Sequence, residues 1–240
     1  MGSSAPFVHD LLRHLEEMGF DGAPRLLGID QLGREILTFI EGDVPSDCRT
    51  IVWDDRQLAT AGELLRRFHD VTAGTELAGT NEVVCHNDFG PWNLVWRESI
   101  PVAIIDFDAA APGRRVDDLG YAIWKHLNLG LLDLTPAEQA RRIGIAISAY
   151  GGASAADVLA AVGQAQERMQ RKLEAGPAGE GRFAALVQLD GERLARSPQG
   201  GASEVLHGVI RVSPRRGRCG SRRGAARCRS ASGRRRWHPR

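Results

Sequence analysis

Residues 86–93 read His-Asn-Asp-Phe-Gly-Pro-Trp-Asn, and a later apolar run ends in Ile105-Asp106-Phe107-Asp108. Asp88 is of the residue type that orients and deprotonates a hydroxyl. Asn93 and Asp106 offer the hard oxygen donors that magnesium takes when it bridges the phosphates of ATP. A carboxylate, an amide five residues on and a second carboxylate at the end of a following strand together make the set that phosphoryl transfer needs. The expectation is therefore Asp88 as base, with Asn93 and Asp106 as metal ligands. His86 reads as a brace of the loop through hydrogen bonds in preference to a direct proton carrier, since Asp88 is the better-placed base. Asp108 stands two residues beyond Asp106, on the same face of an extended chain. It is either a further partner of the metal or a solvated loop acid. Asn87 and Trp92 lie inside the loop, Trp92 as a packing residue.

These groups need elements to bring them together. Residues 94–96 and 102–106 are short β-rich runs around a turn near 99–101, a hairpin that carries Asn93 and Asp106 to a common point. Further on, Asp117-Asp118-Leu119-Gly120 opens a helix that Asp118 is expected to cap. Taken together, residues 83–124 resemble the aminoglycoside phosphotransferase and choline kinase group of small-molecule kinases. Three motifs in order carry the likeness: H-x-D-x4-N at His86, Asp88 and Asn93, then I-D-F-D at 105–108, then D-L-G at 118–120. The resemblance implies an α+β, protein-kinase-like fold with ATP and magnesium as cofactors. It also implies a small-molecule hydroxyl acceptor such as an aminoglycoside or amino alcohol. In that group the backbone of a hinge holds the adenine, which corresponds here to Phe39, Ile40, Glu41 and Gly42. The same four residues read equally well as a strand end and its terminating turn.

The remaining pattern divides the chain into residues 1–42, a partial small lobe, and residues 43–204, a mainly helical lobe that bears the catalytic hairpin. Apolar residues at helical spacing predict helices over 7–18 and 54–72, then 119–127, 136–150, 155–173 and 181–194. Strands are expected over 24–29 and 35–40, joined by a turn at 30–33. His69 has no partner at i+4 and reads as a surface or packing residue rather than a metal ligand. Cys85 reads as a small buried residue at a strand end, and the four cysteines show no metal-type spacing. No apolar run approaches the roughly 18 residues that cross a bilayer, and residues 1–6 lack the pattern of a secretory signal, so a cytoplasmic protein with no membrane contact is expected.

Two features complicate this picture. The resemblance calls for strands with a phosphate-gripping basic residue ahead of the first helix, yet the first helix begins near residue 7 and the only lysines are Lys125 and Lys172. The chain is thus expected to lack the front of its small lobe, with apolar surface laid bare at Leu11, Leu15, Leu27 and Ile36. A truncated or degenerate homologue that binds, or does nothing, is the alternative to an active enzyme. The second feature is the tail. Twelve of the 31 basic residues and none of the 30 acidic ones lie beyond Glu204, so an acidic body is joined to a basic end. Residues 213–240 are rich in Arg, Gly, Ser and Ala, a composition that cannot bury enough apolar surface to fold. Three readings are open for it: nucleic-acid binding, docking on the acidic body, or GC-rich DNA translated out of frame. The last is preferred, because arginine, glycine, alanine, serine and proline are what GC-rich codons supply, and against nucleic-acid binding only Trp237 offers the aromatic character that single-strand binding uses.

Overall fold

A computed structural model of the chain describes residues 5–45, 48, 51–130 and 132–175. The helix expected over 181–194 and the basic stretch 213–240 lie outside the described residues. Among those described, the fold is of the α+β class, with five α-helices, one 3-10 turn at Pro91–Asn93 and three two-stranded antiparallel sheets.

Helix α1 (Ala5–Glu17) buries Val8, Leu11, Leu12 and Leu15, which recur at the spacing of one helical face. Leu11 and Leu15 are fully buried, contrary to the exposure expected for them. That face of α1 joins the same core as Phe20, Leu65 and Phe68, and the His14 ring bonds the Val71 carbonyl at 2.7 Å. Strands β1 (Leu26–Ile29) and β2 (Glu35–Leu37) form a hairpin that leaves Leu27 and Ile36 exposed, as expected. Both strands are shorter than the apolar pattern suggests, and the register slips between Leu26 and Gly28.

Helix α2 (Asp55–Thr72) starts at a capping box in which Asp54 and Gln57 bond each other's backbone amides. It lies along α4 (Pro136–Tyr150), which begins at Thr135 with its hydroxyl accepting from the Glu138 amide. Helix α3 (Arg115–His126) packs against α5 (Ala155–Ala175). Their approach is close enough that a Cβ on Gly120 would lie 2.7 Å from the Ala161 Cβ and 2.9 Å from its backbone. Among the described residues, no single helix is long and apolar enough to cross a membrane.

Strand β3 (Val83–Cys85) pairs with β6 (Ala111–Gly113), and β4 (Leu94–Arg97) pairs with β5 (Ile100–Ile104). The hairpin turn falls at Glu98 and Ser99, both with positive φ (50° and 64°), and so lies earlier than the expected 99–101. Two consecutive positive-φ residues give the twist that a tight hairpin requires. Strand β6 was not legible in the sequence, because Ala-Pro-Gly has little β propensity and owes its extended form to β3.

Candidate active site

The loop after β3 is held from below by a buried carboxylate. The amides of His86 and Asn87 donate to the two oxygens of Asp118, at 2.7 and 2.9 Å. His69 Nε2 reaches the same carboxylate at 3.1 Å, and its Nδ1 pairs with the Tyr150 hydroxyl at 2.7 Å. Asp118 is therefore not the helix cap expected of it. Helix α3 starts at Arg115, which puts Asp118 inside the first turn, where its side chain satisfies the loop's amides instead of the helix's own. Burial alone would raise its carboxyl. The His69 hydrogen bond and the charges and amide around it hold the carboxyl below the ordinary range.

Cys85 stands with His69 and Asp118, their ligand-type atoms all within 4.8 Å of one another. This trio has the residue types of a metal site, but its donors are already committed. Burial and the nearby acids push the Cys85 thiol up, so it keeps its proton and donates to the Arg114 carbonyl at 3.3 Å. The cluster is a structural brace. His69 is thus buried and polar-bonded, where the sequence offered only a surface or packing role.

His86 is fully buried, and its Nε2 donates to the Ile105 carbonyl at 3.1 Å. The rings of Phe107 and Phe89 stand edge-on to it, at 5.1 and 6.2 Å between centres. Burial pushes its ring below the ordinary value, although Asp118, Asp88 and Asp106 pull the other way. A neutral imidazole sealed from solvent and bonded across to the Ile105 backbone ties the two halves of the site together.

On this support sit Asn93, Asp88 and Asp106, buried, half-buried and exposed in turn. Asn93 Nδ2 donates to the Asp88 carbonyl at 3.0 Å and to Asp88 Oδ2 at 2.9 Å. With its nitrogen so used, the amide oxygen of Asn93 is the atom left for a cation. The Ile105 amide donates to the Asn93 carbonyl at 3.0 Å, which places the start of the Asp106 loop against the catalytic loop. Asp106 then turns out of the strand with φ 62° and is exposed, with no hydrogen bond or ion pair to another described residue. Strand alternation does not relate Asp108 to Asp106, since β5 has ended at Ile104 and Asp108 lies in the following turn. Both acids nevertheless border one cavity of about 270 Å³, together with Val8, Leu12 and Val95.

Phe39, Ile40 and Gly42 line that same cavity, whereas Glu41 does not. The Glu41 carbonyl accepts from Arg97 at 3.0 Å. Asp43 then bridges Trp96, and a Cβ on Gly42 (φ 146°) would lie 2.6 Å from the Trp96 carbonyl oxygen, so the crossing needs a glycine. Two further groups escaped the sequence reading. The Tyr121 hydroxyl donates to Asp88 Oδ1 at 2.5 Å, and burial beside that carboxylate pushes the phenol up, so it remains a donor. Lys125, one turn on, also faces this side. Only their spacing of four residues on α3 could have linked them.

Comparison with known proteins adds a likeness to a family. Residues 76–170 match the sequence model of the phosphotransferase enzyme family. The chain is 38% identical over 154 residues to the trifolitoxin immunity protein of Rhizobium leguminosarum bv. trifolii, which covers 58% of this chain and 56% of that protein. It thus spans little more than half the length of the relative it matches. Among solved structures, a candidate aminoglycoside phosphotransferase from Ralstonia eutropha aligns with TM-score 0.47 and 14% identity, over 78% of this chain and 83% of that one. A spectinomycin phosphotransferase in complex with ADP and spectinomycin aligns with TM-score 0.48 and 12% identity, over 85% and 82%. The segment that carries the loop after β3, the hairpin and α3 is thus similar to the phosphotransferase enzyme family.

Proposed function

We propose that this protein transfers the terminal phosphoryl group of ATP to a hydroxyl of a small molecule. The observation that carries the reading is the junction of two loops: the Asn93 side chain bonds Asp88 while its main-chain carbonyl receives the Ile105 amide, so base and amide are tied to the segment whose next residue, the exposed Asp106, borders the cavity. Asp88 accepts the acceptor's proton. The oxygens of Asn93 and Asp106 suit magnesium, with Asp108 at the same cavity. Bound there, the ion would neutralise charge on the phosphates. The apolar cavity wall at Phe39 and Ile40 would receive the nucleotide base. His86, Asp118, His69 and Tyr150 hold the loop without touching substrate. Use of ATP implies residence in the cytoplasm. The relative's name is compatible with an acceptor that is a growth inhibitor, made harmless by phosphorylation.

The test is consumption of ATP by purified protein with magnesium and a panel of hydroxyl compounds, set beside Asp88→Ala. Loss of a positioned base lowers turnover by about a hundredfold or more. Activity that survives the substitution would overturn the mechanism. Tight binding of magnesium-ATP with no turnover on any acceptor would favour a homologue that has kept the scaffold and lost the reaction.

A further inference from the structure

Lys125 lies one helical turn beyond Tyr121 on α3, so the two side chains share a face. Its ammonium sits 3.5 Å from the centre of the Trp124 ring, with the rings of Tyr121 and Trp92 at 5.4 and 5.8 Å. It makes no hydrogen bond or ion pair with any described residue. Burial pushes it down to about 8, with only the charge of Asp88 pulling the other way. The cage stands beside the base, because Trp92 belongs to the turn that ends at Asn93 and Tyr121 bonds Asp88. It does not belong to the cavity that holds Asp106 and Asp108, whose walls come from α1, β2 and the residues after it, β4 and the loop after β5. Its charge therefore lies on the side of Asp88 away from that cavity.

Aromatic faces collect cations, and here the chain itself supplies one. A cationic substituent on an acceptor would find those faces taken and would meet a like charge. An anionic substituent would find an ammonium with unused donors. We propose that Lys125 is a specificity-determining residue that binds an anionic group, carboxylate or phosphate, carried by the acceptor next to its reacting hydroxyl. The inference rests on the reading of Asp88 as the base that faces that hydroxyl.

The experiment is a fluorescence titration of the full chain, in which Trp92 and Trp124 report on the site. Four probes of one carbon skeleton are compared: glycerate, glycerol phosphate, glycerol and the amino diol serinol. At least one anionic probe is expected to bind about tenfold or more tightly than glycerol and serinol, and whichever anion binds better identifies the group. Lys125→Met should erase that preference, and Lys125→Arg should keep it, with circular dichroism showing both variants folded. Serinol binding as tightly as the anions, a preference unchanged in Lys125→Met, or no binding of any probe through the millimolar range would each overturn the proposal. Binding needs no turnover, so the two readings separate. A lysine-dependent anion preference without ATP consumption would leave the site and remove the kinase reading. ATP consumption fastest with serinol would do the reverse.

Discussion

Asp118 accepts two amides of the catalytic loop and a ring nitrogen of His69 while fully buried, so its removal strands three donors at once. Each buried donor left unpaired costs about 1 to 3 kcal/mol. Asp118→Ala is therefore expected to destabilise the protein by about 3 to 5 kcal/mol, read as a lower urea midpoint, a size typical of breaking a buried charged network. Asp118→Asn keeps the shape but loses the charge and one acceptor oxygen, and should fall between Asp118→Ala and wild type. A loss under 1 kcal/mol for Asp118→Ala would show that water satisfies the loop's amides and that the brace is dispensable. The same logic separates two histidines that look alike in sequence. His86 bonds the Ile105 carbonyl from inside the site, whereas His69 acts one step away, through Asp118.

At the scale of elements, the site depends on a tight hairpin and on a close helix pair. Glu98 and Ser99 both hold positive φ, a conformation that costs a residue with a side chain about 1 kcal/mol relative to glycine. Ser99→Gly should raise thermal stability by up to about 1 kcal/mol and leave the hairpin register unchanged, since the Gln57 side chain bonds the Ser99 carbonyl and not its hydroxyl. Gly120→Ala should act in the opposite sense. The new Cβ would meet the Ala161 backbone, which cannot give way without moving α5, and overpacking of this kind costs about 1 to 3 kcal/mol. Calorimetric melting of the two variants decides both cases. A Gly120→Ala protein as stable as wild type would mean that α3 and α5 are free to separate.

For the whole molecule, buried histidines set the response to acid. Burial pushes His126 from 6.5 down to about 4, and its ring packs on Phe89 of the catalytic loop at 5.6 Å between centres. The unfolded chain takes up a proton as pH falls through 6.5, while the folded chain refuses it until about 4. The stability this group contributes is therefore complete above pH 6.5 and is lost progressively down to about 4, in all about 3 kcal/mol. His86 is shifted in the same direction by the same cause. Chemical denaturation across that window should show stability falling as pH drops, with a shallower fall in His126→Phe. An equal slope in the two proteins would rule His126 out as the source.

The closeness of Asn93 to Asp88 and the hairpin between Asn93 and Asp106 were legible in the sequence because both are local matters of spacing. The helices were legible for a similar reason, since a buried face repeats every three or four residues. The supports of the site were not. Asp118 looked like a helix cap and His69 like packing, because their partners are the His86 and Asn87 amides and Tyr150, far away along the chain. Strand β6 exists only because β3 pairs with it, and Leu11 and Leu15 are covered only because α1 folds into the common core. Lys125 seemed remote from the chemistry until α3 brought it beside Asp88. Local spacing determines which groups can react. Long-range hydrogen bonding and burial decide which side chains hold them in place.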